Sequence, residues 1–479
     1  MDRKDLYESI GGVNDTALAH SEKKTEKKRY PKKMAALAAV LALVLVSGLM
    51  LYPFAGGQRA YAISEAVYPE QVKRPGSFAL NRDQKWDEWL EYVHGRELPE
   101  GSTEPMRPFL EESMTQFLSG AGESNRVCSP VNVYMVLAML TDLTSGESRQ
   151  QILDVLQSGT PEEVRRQANA VWRAVYQDDK KASSVLGNSI WLNETVPFEQ
   201  AAMDSLAENY FASSYQGKMG SSGFDRAMQS WLNEQTGGLL KEQTGKLATD
   251  PETAFVLMST IFCHAKWGDE FEKSNTRPDT FHAPGGDVTC DFMHERVQGD
   301  YYWGDCFGAV GKSLEHGETL WLLLPDKGVS VDELLQDEQA LRFITQPNKW
   351  KTCEDNSKYV YINLALPKFD VTGEQDLKDG LKAMGVTDIF DREKADFTPM
   401  LTEEGQQQMP ELWINKAQHD VRVTVDEEGI TAAAYLELPG MGASAPPEDE
   451  VDFVLDRPFL FVYGTFDGLP LFAGVVNQP

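Results

Sequence analysis

The sequence predicts an α+β domain with one large core, preceded by a single membrane-spanning helix. Three observations lead there. Residues 34–54 form an uncharged apolar run, MAALAAVLALVLVSGLMLYPF. Helical periodicity dominates the chain from about residue 106. Apolar strand-like runs then dominate it to the C-terminus, with no regular βα alternation.

The apolar run is long enough, at about 1.5 Å per residue, to cross a bilayer's hydrocarbon core. Residues 1–33 carry nine Lys/Arg against six acids. The basic run from Lys23 to Lys33 precedes the apolar segment directly, so the positive-inside rule places the N-terminus in the cytoplasm and the rest outside. A cleaved secretory signal is the competing reading, because Ala60-Tyr61-Ala62 has the form of a cleavage site. It lies well beyond the apolar run, and the polar leader is long for a signal. Both readings export the same domain. The expected organisation is a basic cytoplasmic tail (1–33), a transmembrane helix (34–54), a juxtamembrane stalk (55–105) and one domain (106–479). Within the stalk, Trp86, Trp89, Leu90, Tyr92 and Val93 have helical spacing.

Inside the domain, Ser129-Pro130 reads as an N-cap followed by Pro at the first helical position, and Ser145 as a second cap. A helix through Trp231-Leu232 stops near Gly237-Gly238. Strands are expected over residues 254–262, 319–324, 359–366, 421–425, 459–463 and 471–476.

The formal net charge is -29 over 479 residues, which argues against nucleic-acid binding, since phosphate recognition needs a basic surface. Five scattered cysteines exclude a dense disulfide framework but leave room for one bridge. No metal-ligand spacing, nucleophile elbow, P-loop or dinucleotide turn is present. No cofactor and no metal are therefore expected, and nothing in these spacings supports a hydrolase.

The order of residues 421–479 is unusual. A strand-like VRVTV is followed by Asp426-Glu427-Glu428-Gly429, then by Ile430-Thr431-Ala432-Ala433-Ala434-Tyr435-Leu436-Glu437-Leu438, and then by Pro439-Gly440-Met441-Gly442-Ala443-Ser444-Ala445-Pro446-Pro447. Small and proline-bearing residues between two apolar strands make a long exposed loop, a preferred site of cleavage. Yet Ile430, Ala432, Ala434, Leu436 and Leu438 fall on one face of a strand. Taken alone, the pattern also fits an ordinary surface hairpin.

This segment resembles the reactive-centre loop of serpins. Further motifs carry the resemblance: Asn125–Leu140 with its Ser-Pro, Trp231-Leu232-Asn233 with Thr236-Gly237-Gly238, Lys266-Trp267 with Phe271, Leu366-Pro367-Lys368-Phe369, Asp456-Arg457-Pro458-Phe459 and Leu471-Phe472-Ala473-Gly474. With its N-terminal segment, the chain resembles a membrane-anchored, bacterial-type member.

The resemblance implies a large, mostly antiparallel central sheet surrounded by helices, with an exposed reactive-centre loop. It also implies a monomeric suicide substrate of serine proteases, and by extension cysteine proteases. The cleaved loop inserts into the sheet and traps the acyl-enzyme. By resemblance the hinge is Glu428, Gly429, Ile430, Thr431, Ala432, Ala433 and Ala434. Asn132, Ser259 and His419 form the polar shutter, with the family's Ser and Asn exchanged, and Lys266 and Trp267 form the breach. Ile430 and Tyr435 depart from the family's small hinge residues. Counting from Gly429 puts the cut at Ala443-Ser444, with Met441-Gly442 as the rival; counting back from Phe453 lands about four residues later. No Lys or Arg lies between Glu427 and Arg457, which disfavours trypsin-like targets and suits elastase-like or subtilisin-like ones. A non-inhibitory serpin, acting as a binding or chaperone module, is the alternative.

Overall fold

Alternating and continuous apolar runs build two sheets in the computed structural model. It describes residues 60–479 apart from 71, 73–81, 97, 99–100, 180–181, 315–317, 348–355, 431–446 and 466–467. The strands are β1 (Ala60–Ser64), β2 (Arg126–Cys128), β3 (Gln177–Asp179), β4 (Ala182–Asn193), β5 (Ala212–Gly217), β6 (Phe255–Lys266), β7 (Thr276–Ala283), β8 (Gly286–Trp303), β9 (Phe307–Ser313), β10 (Thr319–Pro325), β11 (Ser357–Pro367), β12 (Phe369–Asp376), β13 (Gln418–Val425), β14 (Gly429–Ile430), β15 (Glu450–Val454), β16 (Phe459–Gly464) and β17 (Pro470–Val476). The helices used below are α1 (Arg82–His94), α2 (Arg107–Leu118), α3 (Pro130–Leu143), α4 (Gly146–Val155), α5 (Pro161–Val175), α6 (Gln200–Tyr210) and α7 (Ser222–Gln235).

The main sheet has the order β1-β5-β4-β6-β14-β13-β12, with β3 on β4. The second runs β15-β11-β8-β9-β10-β16-β17-β2, with β7 on β8. Among the described residues only β4–β5 and β11–β15 pair in parallel, so the expectation of a mostly antiparallel sheet agrees with the ladders. All six runs expected as strands are strands. β16 and β17 are buried at every position, which is why they read as unbroken apolar runs rather than alternations.

Helix α3 is buried along nearly its whole length and packs against β6 and β17; an all-round apolar helix belongs in a core. The Ser129 hydroxyl caps it by accepting from the Asn132 N–H at 3.3 Å. Ser145 also stands at a helix start, but its hydroxyl makes no cap bond and donates instead to Asp396 Oδ2 at 2.7 Å. Helix α7 lies over β4 and β6 and closes a second, smaller core. There Trp191 stacks on Tyr215 with centroids 4.4 Å apart and meets Phe224 edge-on at 5.6 Å. The helix ends where expected, with the Gly238 N–H bonding to the Asn233 carbonyl at 2.8 Å. Gly237 is left-handed and faces β6: a Cβ there would lie 2.8 Å from Phe262 Cζ.

The expected stalk needs correction. Residues 58–479 form one compact unit, and the described part of 60–98 belongs to it. β1 pairs with β5, and Tyr68 packs against Trp172 and Tyr176, each 5.1 Å away between centroids. Arg96 donates to the carbonyls of Arg173 (3.0 Å), Ala174 (3.2 Å) and Tyr176. That guanidinium satisfies the open carbonyl end of α5, where positive charge is favoured. Helix α1 contains Trp86, Trp89, Leu90, Tyr92 and Val93, whose spacing predicts a helix. Among the described residues no helix is long and apolar enough to cross a membrane; residues 34–54, where that helix is expected, lie outside them. Cys128, Cys263, Cys290 and Cys306 are free thiols.

Candidate functional site

The main sheet is divided along its middle. Among the described residues no ladder joins β6 directly to β13. They are linked only by the two residues of β14, Gly429 opposite Lys266 and Ile430 opposite both Ala265 and Val425. With one strand seated between them, β6 and β13 stand roughly 9–10 Å apart at this end. Further down lies a narrow cavity lined by Thr260, Ile261, Phe262, Asp420, Val421 and Arg422, with Asn132 also lining it. Its volume of about 20 Å³ admits a single water, so it is no ligand pocket. A strand could occupy the division only if its walls part.

A tight turn delivers the chain into this division. Asp426 Oδ1 accepts from the N–H groups of Glu428 (2.9 Å) and Gly429 (3.2 Å), and the Asp426 N–H returns to the Gly429 carbonyl at 3.0 Å. Gly429 has to be glycine, since a Cβ would lie 1.9 Å from the Ala265 carbonyl oxygen. Ile430 is 2% exposed, a burial that favours the seated hinge by roughly 1.5–3 kcal/mol. Trp267, itself buried, holds the turn by two donations: its N–H to the Glu428 carbonyl at 3.2 Å, and its Nε1 to the Asp426 carbonyl at 2.8 Å. Lys266 pairs with Glu270 at 2.7 Å with both side chains about half exposed, a geometry that adds little stability. Beneath the turn, Lys312 Nζ lies 4.2 Å from the Phe271 ring centroid and bonds Glu295 at 2.7 Å.

Lys368, Thr276 and Lys273, which sequence reasoning missed, fasten the two glutamates of the turn. Glu427 receives bonds from Lys368 Nζ (2.9 Å) and Thr276 Oγ1 (2.9 Å). Burial opposes its charge, but these bonds outweigh burial and hold the carboxyl below its ordinary range. Glu428 pairs with Lys273 at 2.7 Å, and that bond holds its carboxyl low as well. Lys368 stood inside a quoted motif, but nothing in the sequence pairs it with a residue 59 positions away.

The residues expected as the shutter make two hydrogen bonds near the start of α3, and Ser129 links them. Ser259 Oγ donates to Asn132 Oδ1 at 3.4 Å, and the Ser129 N–H donates to His419 Nε2 at 3.0 Å. Burial pushes His419 down to about 4, so the ring is neutral near pH 7. With Nε2 accepting, Nδ1 carries the proton. The helix cap, the shutter and β13 are therefore one hydrogen-bonded unit, and Ser129 belongs to it through its backbone. Of the residues expected in the hinge and at the cut, Thr431, Ala432, Ala433, Ala434, Met441, Gly442, Ala443 and Ser444 lie outside the described residues. Among the described residues no group of three or more His, Cys, Asp or Glu side chains is placed to hold a metal ion.

A family model described as serpin (serine protease inhibitor) matches residues 112–479. Serpin-ZX of Arabidopsis thaliana is 25% identical over 372 residues, covering 74% of this chain and 92% of that protein. Plasminogen activator inhibitor 1 of Bos taurus is 28% identical over 377 residues, covering 76% and 89%. In fold, the native-state crystal structure of the thermophilic serpin tengpin superposes with a TM-score of 0.68 at 22% identity, covering 80% of this chain and 95% of that one. Thyroxine-binding globulin in complex with thyroxine gives 0.65 at 19% identity, covering 78% and 99%. The curated relatives named here come from a plant and a mammal and lend the bacterial-type affiliation no support. With more than half its length matched and its main sheet divided at the hinge, the chain belongs to the serpin family.

Proposed function

We propose that this serpin is a membrane-tethered, extracellular suicide inhibitor of serine proteases, working by loop insertion. The observation that carries the reading is the seating of Gly429 and Ile430 between two strands that no ladder joins directly. A target protease attacks the loop, forming an acyl-enzyme and releasing the new amino terminus. The loop then enters the division as a central strand, dragging the protease with it before the ester is hydrolysed. Insertion of this kind requires a native fold held away from its lowest free energy.

The phase of the hinge supports the reading. Ile430 lies opposite Ala265 and Val425, both buried. In β13 the odd-numbered residues from His419 to Val425 are buried and the even-numbered ones are partly exposed. Each further loop residue would fall one position back along both strands. Ala432, Ala434, Leu436 and Leu438 would then meet this inner face without burying a charge. Leu436 would arrive opposite Ser259 and His419, at the shutter. Tyr435 would face outward beneath α7. Pro439, which cannot donate a ladder bond, would fall beyond the end of β13 at Gln418.

Cleavage is assigned to Ala443-Ser444, with Met441-Gly442 as the rival, and the small residues there suit elastase-like or subtilisin-like pockets. The anchor is residues 34–54; release by cleavage near Ala62 would convert the same domain into a secreted form. A monomer engages one protease at a time, with no cofactor, metal or nucleic acid. The competing reading is a binding module, in keeping with thyroxine-binding globulin, a protein of this fold in complex with thyroxine.

Incubation with elastase-like proteases and a denaturing gel distinguishes the readings. Inhibition predicts a protease-linked band that survives denaturant. Cleavage without such a band points to a binding module, and peptide turnover by the protein alone would mean an enzyme.

A further inference from the structure

The ladders fix where the chain joins the main sheet. Ala60 lies opposite Gly217 of β5, and Gly217 lies opposite Asn193 of β4. The Asn193 N–H bonds to the Ala254 carbonyl, one residue before β6. The hinge residue Gly429 lies opposite Lys266, at the other end of β6. From Phe255 to Lys266 that strand spans roughly 36 Å. Ala60 and the base of the bait loop therefore sit at opposite ends of one sheet. On the proposed reading, which this inference rests on, Ala60 is joined to the membrane through residues 55–59.

Insertion reverses that arrangement. In the register set by Ile430, residue 440 would fall opposite Phe255, so a protease joined a few residues later arrives at the foot of the sheet. Five residues, 55–59, separate the apolar run from Ala60, and the stretch from Phe54 to Ala60 reaches about 20 Å when fully extended. A protease domain of about 230 residues is roughly 45 Å across. The tether is too short for it.

We propose that β1 is a releasable tether reserve, which unzips from β5 so that the trapped protease fits between the foot and the bilayer. β1 is built to let go. It is an edge strand paired on one side, its register slips between Ala62 and Ser64, and Tyr61 is 62% exposed. Besides the partly buried Ile63 and Ala66, which pack on the core, three side-chain ties hold residues 60–67: Ser64 Oγ to Asp204 Oδ1 at 2.9 Å, Gln200 Nε2 to the Ile63 carbonyl at 3.1 Å, and the Ala66 N–H to Ser213 Oγ at 3.2 Å. The stop is Tyr68, whose ring packs against Trp172, Tyr176 and Phe211. Freeing residues 60–67 adds about 28 Å and brings the reach to that of the protease.

The test uses the full-length protein in phosphatidylcholine vesicles and in detergent micelles, with β1 locked to β5 by the cross-strand pair Tyr61→Cys and Gln216→Cys. The locked protein is expected to give several-fold less covalent complex, and more cleaved product, in vesicles; reductant or micelles restore the yield. Equal yield for locked and unlocked protein in vesicles overturns the proposal. Absence of complex from the unlocked protein in micelles overturns the inhibitor reading itself, which is a separate outcome. Hydrogen exchange on the unmodified protein supplies a second readout. Amides of residues 60–64 should lose protection on complex formation in vesicles and keep it in micelles, and unchanged protection in both contradicts the proposal.

Discussion

Acidification should weaken the shutter by a calculable amount, and one residue carries the effect. His419 is buried, and its neutral ring accepts from the Ser129 N–H. An unfolded chain protonates this histidine near 6.5, whereas burial lowers the folded value to about 4. The unfolded state therefore binds the proton first. The stabilisation is complete above 6.5, declines as pH falls from 6.5 to 4, and is gone below. At 1.36 kcal/mol per unit, the lost stability is roughly 3 kcal/mol. The control is His419→Gln, which keeps an acceptor for Ser129 but cannot titrate in this range. Urea unfolding followed by tryptophan fluorescence, from pH 7.5 to 4, measures both proteins. The wild-type midpoint should fall more steeply than the variant's through this window, and the curves should run parallel outside it. Parallel curves throughout would refute the claim that a buried neutral histidine holds the shutter.

Three further outcomes follow from the same geometry. His419→Ala leaves the buried Ser129 N–H without its acceptor, costing about 1–3 kcal/mol; the rate of loop insertion, followed by the appearance of protease complex, should change. Gly429→Ala puts a Cβ 1.9 Å from the Ala265 carbonyl oxygen and should expel the seated hinge, which increased exchange at the Ile430 amide would register. Glu318 has a buried, unpartnered Oε2, and burial pushes its carboxyl up to about 7. Its ionisation opposes folding as pH rises from 4.5 to 7, so Glu318→Gln should raise the urea midpoint at pH 8 and leave it unchanged at pH 4.

How much of this was legible follows from which interactions are local. Ser129-Pro130 announced a helix start because a cap and its helix are adjacent in sequence. β16 and β17 were legible as unbroken apolar runs because both faces are buried. The alternation from Ile430 to Leu438 could be phased from sequence, and the register at Ile430 agrees with that phase. β1 is hard to tell from a stalk because AYAIS is short and none of its residues is fully buried, so an edge strand with one partner leaves little pattern. The ties of Glu427 to Lys368 and Thr276, and of His419 to the Ser129 N–H, cross 59, 151 and 290 positions. Such pairings exist only after folding. Nor did Arg96 announce that it would close the carbonyl end of α5.

If the bait loop becomes a strand between β6 and β13, a single cut in residues 431–446 must change the urea midpoint of the protein. An inserted strand adds ladder bonds to both neighbours and buries the row from Ala432 to Leu438. The midpoint of the cut protein should rise well above that of the intact protein. A nicked protein whose midpoint is unchanged or lower would contradict it.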